Sequence, residues 1–200
     1  MTSKKYFAGW LAVLGLSAIT TTASAQWDLD STHSELNYVS VKNNAVAEMN
    51  GFQSLVGYIS KEGQIDLTVD LASVTTNIDL RDERMRSLFF ETDSFPAATI
   101  TGKVAPELLA ALEPGAVIST EIQLVLSLHG QQADITAPVM VATDSSGHLR
   151  VVSSRAVLLN VSDFGLLAGV AKLQEVAGLK SIDTVVPITF HLLFKVASPD

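Results

Sequence analysis

The chain has 200 residues, with 13 basic and 21 acidic side chains and a formal net charge of −8 at pH 7. An acidic chain without a basic stripe is a poor match for nucleic acid, because neutralising phosphates drives most of that binding. The sequence contains no cysteine, which excludes disulfides, thiolate metal sites and a cysteine nucleophile.

The N-terminus has the layout of a secretory signal peptide. Lys4 and Lys5 give a basic start, residues 6–19 are almost wholly apolar, and residues 23–25 are the small residues that a signal peptidase requires. We therefore predict cleavage before Gln26 and a periplasmic or secreted location.

This interpretation divides the chain into a signal peptide, residues 1–25, and one domain, residues 26–200. The alternative is a membrane anchor, but fourteen apolar residues are fewer than the roughly 20 that span a bilayer core. We therefore expect no stable membrane anchor.

Most of the domain shows the period of two that is typical of β-strands. The predicted strands cover residues 36–41, 46–49, 55–60, 65–71, 98–104, 121–128, 133–141, 149–159 and 186–196. Turn signals separate several of them, including Glu62-Gly63 and His129-Gly130. Eight or more such strands predict an antiparallel barrel or sandwich. Long strands at an open sheet edge could also pair between subunits to form a homodimer.

Two segments have helical rather than strand periodicity. In residues 79–90, Met85, Leu88 and Phe89 fall on one face, with Asp79 as the predicted N-cap. An ion pair between Asp82 and Arg86 is expected there from the i,i+4 spacing. A second amphipathic helix is predicted over residues 166–179, with Leu166, Val170, Leu173, Ala177 and Leu179 on one face. Both helices should lie against the sheet or close an open end of it.

The first helix also carries three arginines, Arg81, Arg84 and Arg86. Guanidinium groups suit bidentate binding of a diphosphate or a carboxylate. The alternative is a solvated helix face neutralised by nearby acids, namely Asp82, Glu83 and Glu91.

Several motifs in the chain resemble a known family. They comprise Asp70-Leu71-Ala72-Ser73-Val74-Thr75-Thr76-Asn77-Ile78, Arg81-Asp82, Met85-Arg86-Ser87, Phe89-Phe90 and Phe95-Pro96, with His33-Ser34, Leu128-His129-Gly130 and Asp163-Phe164-Gly165-Leu166 on either side. In this order they are similar to the YceI-like family of bacterial exported proteins. The resemblance implies a lipocalin-like antiparallel β-barrel of about eight strands, with one or two short helices at the rim and a hydrophobic interior. It also implies binding of polyisoprenoids or related lipids, which some members show.

An eight-stranded barrel either fills its interior with side chains or holds one small ligand. The candidates for ligand binding at the wall or entrance are large apolar residues, one tyrosine and one arginine. They are Leu36, Tyr38, Met49, Phe52, Arg81, Met85, Leu88, Phe89, Phe164, Phe190 and Leu192. For each apolar one, the alternative is ordinary core packing.

Three functions follow from these observations. The first is a binding or carrier protein for an elongated isoprenoid, quinone-like or fatty-acyl ligand. The second is an interaction module with a filled barrel. The third is an enzyme acting on a lipid-like substrate, with His33, His129 and His191 converging inside. No histidine pair has metal-ligand spacing and no nucleophile motif is present, so we expect neither catalysis, nor a metal, nor a cofactor.

Overall fold

The computed structural model describes residues 25–197, which form a closed antiparallel β-barrel with short helices at its ends. The strands are β1 (Ala25–Leu29), β2 (Glu35–Lys42), β3 (Val46–Phe52), β4 (Leu55–Ser60), β5 (Gln64–Asp70), β6 (Val74–Thr75), β7 (Ala97–Lys103), β8 (Val117–Leu128), β9 (Gln131–Thr143), β10 (Leu149–Ser153), β11 (Val157–Asn160) and β12 (Val185–Val196). The predicted signal peptide lies outside the described residues except for Ala25.

Eight strands close the barrel in the order β1-β4-β5-β7-β8-β9-β10-β12, and β12 pairs back to β1. The second half of β12 pairs with β1 and β10, while its first half pairs with β2 and β11. Strands β3 and β6 extend the sheet beyond β2. The antiparallel barrel is therefore confirmed and the sandwich is not formed. Among the described residues, the outer edges are β11 and β3, since only Gly51 and Phe52 of β3 pair with the two-residue β6.

Alternation along the strands directs one apolar face of the sheet into the barrel. On β5 and β8 the inward positions are those expected from the period of two, as at Ile65, Leu67, Leu124 and Leu126. On β12 the inward face runs from Val186 to Phe194, whereas Val196 at the strand end is half exposed. The strand signal in the sequence therefore identifies the barrel interior.

Three helices cover the two ends of the barrel. Helix α1 (Asp79–Arg84) continues into a π-helical segment, Met85–Phe90, and α3 (Leu167–Ala177) packs on that segment. The packing is close, because a Cβ added at Gly169 would lie 3.0 Å from the Phe89 Cα. Helix α2 (Pro106–Ala110) lies at the opposite end, where no helix was predicted. None of the helices among the described residues is long and apolar enough to span a membrane.

Two predicted details of α1 are wrong. Ile78 rather than Asp79 is the N-cap residue, and it makes no side-chain capping bond. The Asp82 carboxylate accepts a hydrogen bond from the backbone N–H of Thr76 at 2.7 Å and another from its hydroxyl. Arg86 instead pairs with Glu83, three residues earlier, at 3.1 Å. The carboxylate of Asp82 is thus used to fix the chain before the helix, not to support the helix itself.

The start of the barrel carries an ion-pair cluster that should make folding stability depend on pH. A hydrogen bond from Lys195, reinforced by His33, lowers the pKa of Asp30 from its ordinary value of 3.8 to about 2. A carboxylate with a depressed pKa in the folded state stabilises it above pH 3.8, and that contribution disappears as the pH falls towards 2.

Asp30→Asn should therefore lower the free energy of unfolding at neutral pH. The variant should also lose less of that free energy than the wild type as the pH falls from about 4 to 2. Urea unfolding of both proteins across this range measures the effect. Asp28→Asn, at an exposed position two residues earlier, is the matched control. Equal pH dependence in the wild type and Asp30→Asn would contradict the assignment.

Candidate functional site

The barrel is hollow. Its interior contains a cavity of about 540 Å³, within the roughly 300–1,000 Å³ typical of small-molecule sites. Protein interiors normally leave few voids larger than a water molecule. A cavity of this size therefore argues against a barrel filled by its own side chains.

The two ends of the cavity differ in character. At one end Leu108, Leu109 and Leu112, in and just after α2, line it. At the other end the lining includes Ile78 and Leu80 of the α1 region, which are 51% and 61% exposed. Because these exposed side chains border the cavity, its mouth lies beside α1.

Nine of the eleven candidate residues line this cavity. They are Leu36, Tyr38, Phe52, Arg81, Met85, Phe89, Phe164, Phe190 and Leu192. The structure brings them together from β2, β3, β12, the α1 region and the turn after β11. Contact of these residues with a ligand stays a prediction.

Two candidates lie elsewhere. Met49 is 63% exposed, because it falls between the inward positions Glu48 and Asn50 on β3. Leu88 does not line the cavity, whereas Phe90 does. The π-helical segment explains this exchange, since hydrogen bonds from i to i+5 place Met85 and Phe90 on one side.

One polar patch, which we call the polar end, interrupts the apolar wall near the mouth. It consists of Tyr38, Ser40 and Lys42 on β2 with Glu48 and Asn50 on β3, all of which line the cavity. Tyr38 stands opposite Asn50 and Ser40 opposite Glu48 in the strand register. Because alternate residues share a face, these side chains form a short polar ladder running to the hairpin tip.

Arg81 joins the polar end from α1. It donates from Nη1 to Oε2 of Glu48 at 2.6 Å and from Nη2 to the carbonyl oxygen of Thr76 at 2.6 Å. Lys42 Nζ donates to the same Glu48 oxygen at 2.9 Å. The Lys42 hydrogen bond and, secondarily, Arg81 lower the pKa of Glu48, which holds the carboxylate in its ionised form at neutral pH. The partner of Arg81 is thus a strand residue, not an acid of its own helix.

Three buried polar atoms of the polar end have no hydrogen-bond partner among the described residues. They are the Tyr38 hydroxyl, Asn50 Oδ1 and Arg81 Nε. A buried polar group without a partner costs roughly 1–3 kcal/mol. Burial also raises the pKa of the Tyr38 phenol, which therefore keeps its proton. A polar group of a ligand could satisfy these atoms.

Sequence reasoning missed Lys42, Glu48 and Asn50 because it searched strands for apolar residues. A signal was available in the spacing of β3. Residues 49 and 52 differ by an odd number and cannot share one face of a regular strand. Once Phe52 faces inward, Glu48 and Asn50 do so as well.

The histidines do not converge on the cavity. His33 pairs with Asp30 at 2.9 Å, His129 packs against Phe95, and His191 contacts Arg150. None of the three lines the cavity. Within residues 25–197 no group of three or more acidic or histidine side chains could hold a metal ion.

The Arg81 bonds should make a measurable contribution to folding stability. Arg81→Ala removes two charge-assisted hydrogen bonds from a side chain that is 27% exposed, so we expect a loss of about 2–3 kcal/mol. Unfolding in guanidinium chloride measures this change in the free energy of unfolding. Arg86→Ala is the matched control on the same helical run; its pair with the 65% exposed Glu83 should contribute under about 1 kcal/mol. Equal losses in the two variants would contradict a structural role for Arg81.

Comparison with known proteins agrees with this architecture. The model of the YceI-like domain matches residues 27–194. The chain belongs to the YceI-like family. Among solved structures, this YceI-like chain is similar to a polyisoprenoid-binding domain from Saccharophagus degradans implicated in plant cell wall breakdown. The two are 35% identical with a TM-score of 0.84, over 87% of this chain and 100% of that domain.

A second solved structure shares the fold of this YceI-like protein. BcnA of Burkholderia cenocepacia is 20% identical, with a TM-score of 0.65 over 83% of this chain and 99% of that one. No curated protein matches the chain significantly.

Proposed function

We propose that this protein is a periplasmic binding or carrier protein that holds an elongated hydrophobic ligand inside its barrel. The ligand class is an isoprenoid, a quinone-like molecule or a fatty-acyl chain. The observation that carries the proposal is the apolar cavity of about 540 Å³ with a polar end at its mouth. Each buried methylene of such a ligand contributes roughly 0.8 kcal/mol before ordering costs are subtracted.

The related domain from Saccharophagus degradans supports this ligand class, because it is described as polyisoprenoid-binding and is 35% identical. Binding rather than catalysis is the activity that the cavity supports, since its wall is mainly apolar and none of the four histidines lines it. A homodimer stays a prediction, which light scattering during gel filtration would check.

Native mass spectrometry of protein purified without detergent from a periplasmic fraction tests the proposal. We expect a species carrying one lipid-sized ligand, and delipidated protein should take up prenyl and acyl probes. Protein that is ligand-free and takes up neither probe would contradict the binding function. N-terminal sequencing of the same sample tests export separately, with Gln26 expected as the first residue.

A further inference from the structure

Glu48 is the counter-ion of the two cations in the polar end. A single oxygen of Glu48 accepts hydrogen bonds from both Lys42 and Arg81, at 2.9 Å and 2.6 Å. The second Arg81 Nη is bound to the carbonyl of Thr76. The two cations of this end therefore share a single carboxylate that lies in the cavity wall.

The unpaired atoms define what a ligand head must offer. Asn50 Oδ1 is an acceptor and needs a donor, whereas Arg81 Nε is a donor and needs an acceptor. The Tyr38 hydroxyl can do either. A head group that carries an O–H or N–H as well as an oxygen satisfies all three atoms. A carboxylate or diphosphate at neutral pH has few or no donors to offer Asn50, and it would lie beside the Glu48 carboxylate.

Arg84 gives an anion a further cation to bind. It lines the cavity and, among residues 25–197, forms no ion pair with an acid. It lies on α1 one turn after Arg81, and the lining also includes the acid Asp183. An anionic head would therefore meet Arg84 and the unpaired Arg81 Nε, at the cost of like-charge contact with Glu48.

We propose that Glu48 is a specificity-determining residue that makes the site select ligands with an uncharged, hydrogen-bonding head, such as an alcohol, over ligands with an anionic head. This inference rests on the proposed function, because it assumes that a hydrophobic tail fills the barrel. It differs from the diphosphate or carboxylate role that the arginine cluster alone indicates.

The test compares geranylgeraniol with geranylgeranyl diphosphate, which share one prenyl tail and differ in head charge. Wild-type protein should bind the alcohol at least about tenfold more tightly, since a second anion beside the partly buried Glu48 carboxylate is costly. Glu48→Gln should raise affinity for the diphosphate and reduce that preference about tenfold or reverse it. Competition against a fluorescent prenyl probe measures all four affinities.

Two further variants keep the test independent of folding defects. Glu35→Gln makes the same chemical change at an exposed position of β2, outside the cavity lining, and should leave the preference unchanged. Lys42→Gln removes a cation but retains Glu48, so it should increase the preference for the alcohol. Circular dichroism melting confirms that each variant is folded.

The outcomes separate the two claims. Tighter wild-type binding of the diphosphate, especially if Arg84→Gln abolishes it, would overturn the selectivity while leaving the carrier function intact. An unchanged preference in folded Glu48→Gln and Lys42→Gln would also overturn the role of Glu48. Failure of every protein to bind either probe would contradict the proposed function itself.

Discussion

Ala137→Phe should reduce affinity for a prenyl or acyl ligand by at least about tenfold while leaving the barrel folded. Ala137 on β9 is 2% exposed and lines the cavity, so a benzyl group there occupies space that the ligand tail needs. A tenfold loss of affinity corresponds to about 1.4 kcal/mol. Burial of two methylenes contributes more than this, so displacing two methylenes of the tail from the cavity is enough to cause the loss. Competition against a fluorescent lipid probe measures the affinity.

Ala142→Phe provides the matched control for this substitution. Ala142 lies on the same strand but at an even position, on the face that does not line the cavity. The control should bind ligand as the wild type does. Unimpaired binding by folded Ala137→Phe would show that the tail does not lie in the barrel.

Phe164→Ala should cause a large loss of stability, about 3–5 kcal/mol in the free energy of unfolding. The ring is 2% exposed and lines the cavity from the turn after β11. Truncation removes its packing contacts and enlarges a cavity whose rigid barrel wall has little freedom to collapse. Urea unfolding of ligand-free protein measures the change.

Phe164→Leu retains most of the side-chain volume and should cost less than half as much as the alanine variant. A saturating lipid ligand should also restore part of the lost stability, because a ligand that binds only the folded state stabilises it. A loss below about 1 kcal/mol in Phe164→Ala would contradict the close packing of the ring.

The sequence predicts the barrel wall well because burial on one face imposes a period of two. On β12, the positions from Val186 to Phe194 follow it without interruption. The stripe of the second predicted helix is also confirmed as inward-facing, since Leu166, Val170 and Leu173 all line the cavity. Such long, regular patterns depend on local spacing alone, which the sequence displays directly.

The polar end was not predictable in the same way. Arg81 pairs with Glu48, 33 residues away in sequence, and local i,i+4 spacing carries no information about that partner. Likewise, Asp82 bonds to Thr76 because the chain folds back before α1. The exchange of Leu88 for Phe90 depends on π-helical winding, which the 3.6-residue period does not describe.

A crystal structure of the protein with bound geranylgeraniol tests the central claim most directly. We expect continuous density for the tail inside the barrel beside Phe164, with the hydroxyl within hydrogen-bond distance of Asn50 Oδ1 and Arg81 Nε. A barrel whose side chains have collapsed to fill the cavity, with the prenyl chain bound on the outer surface, would contradict it.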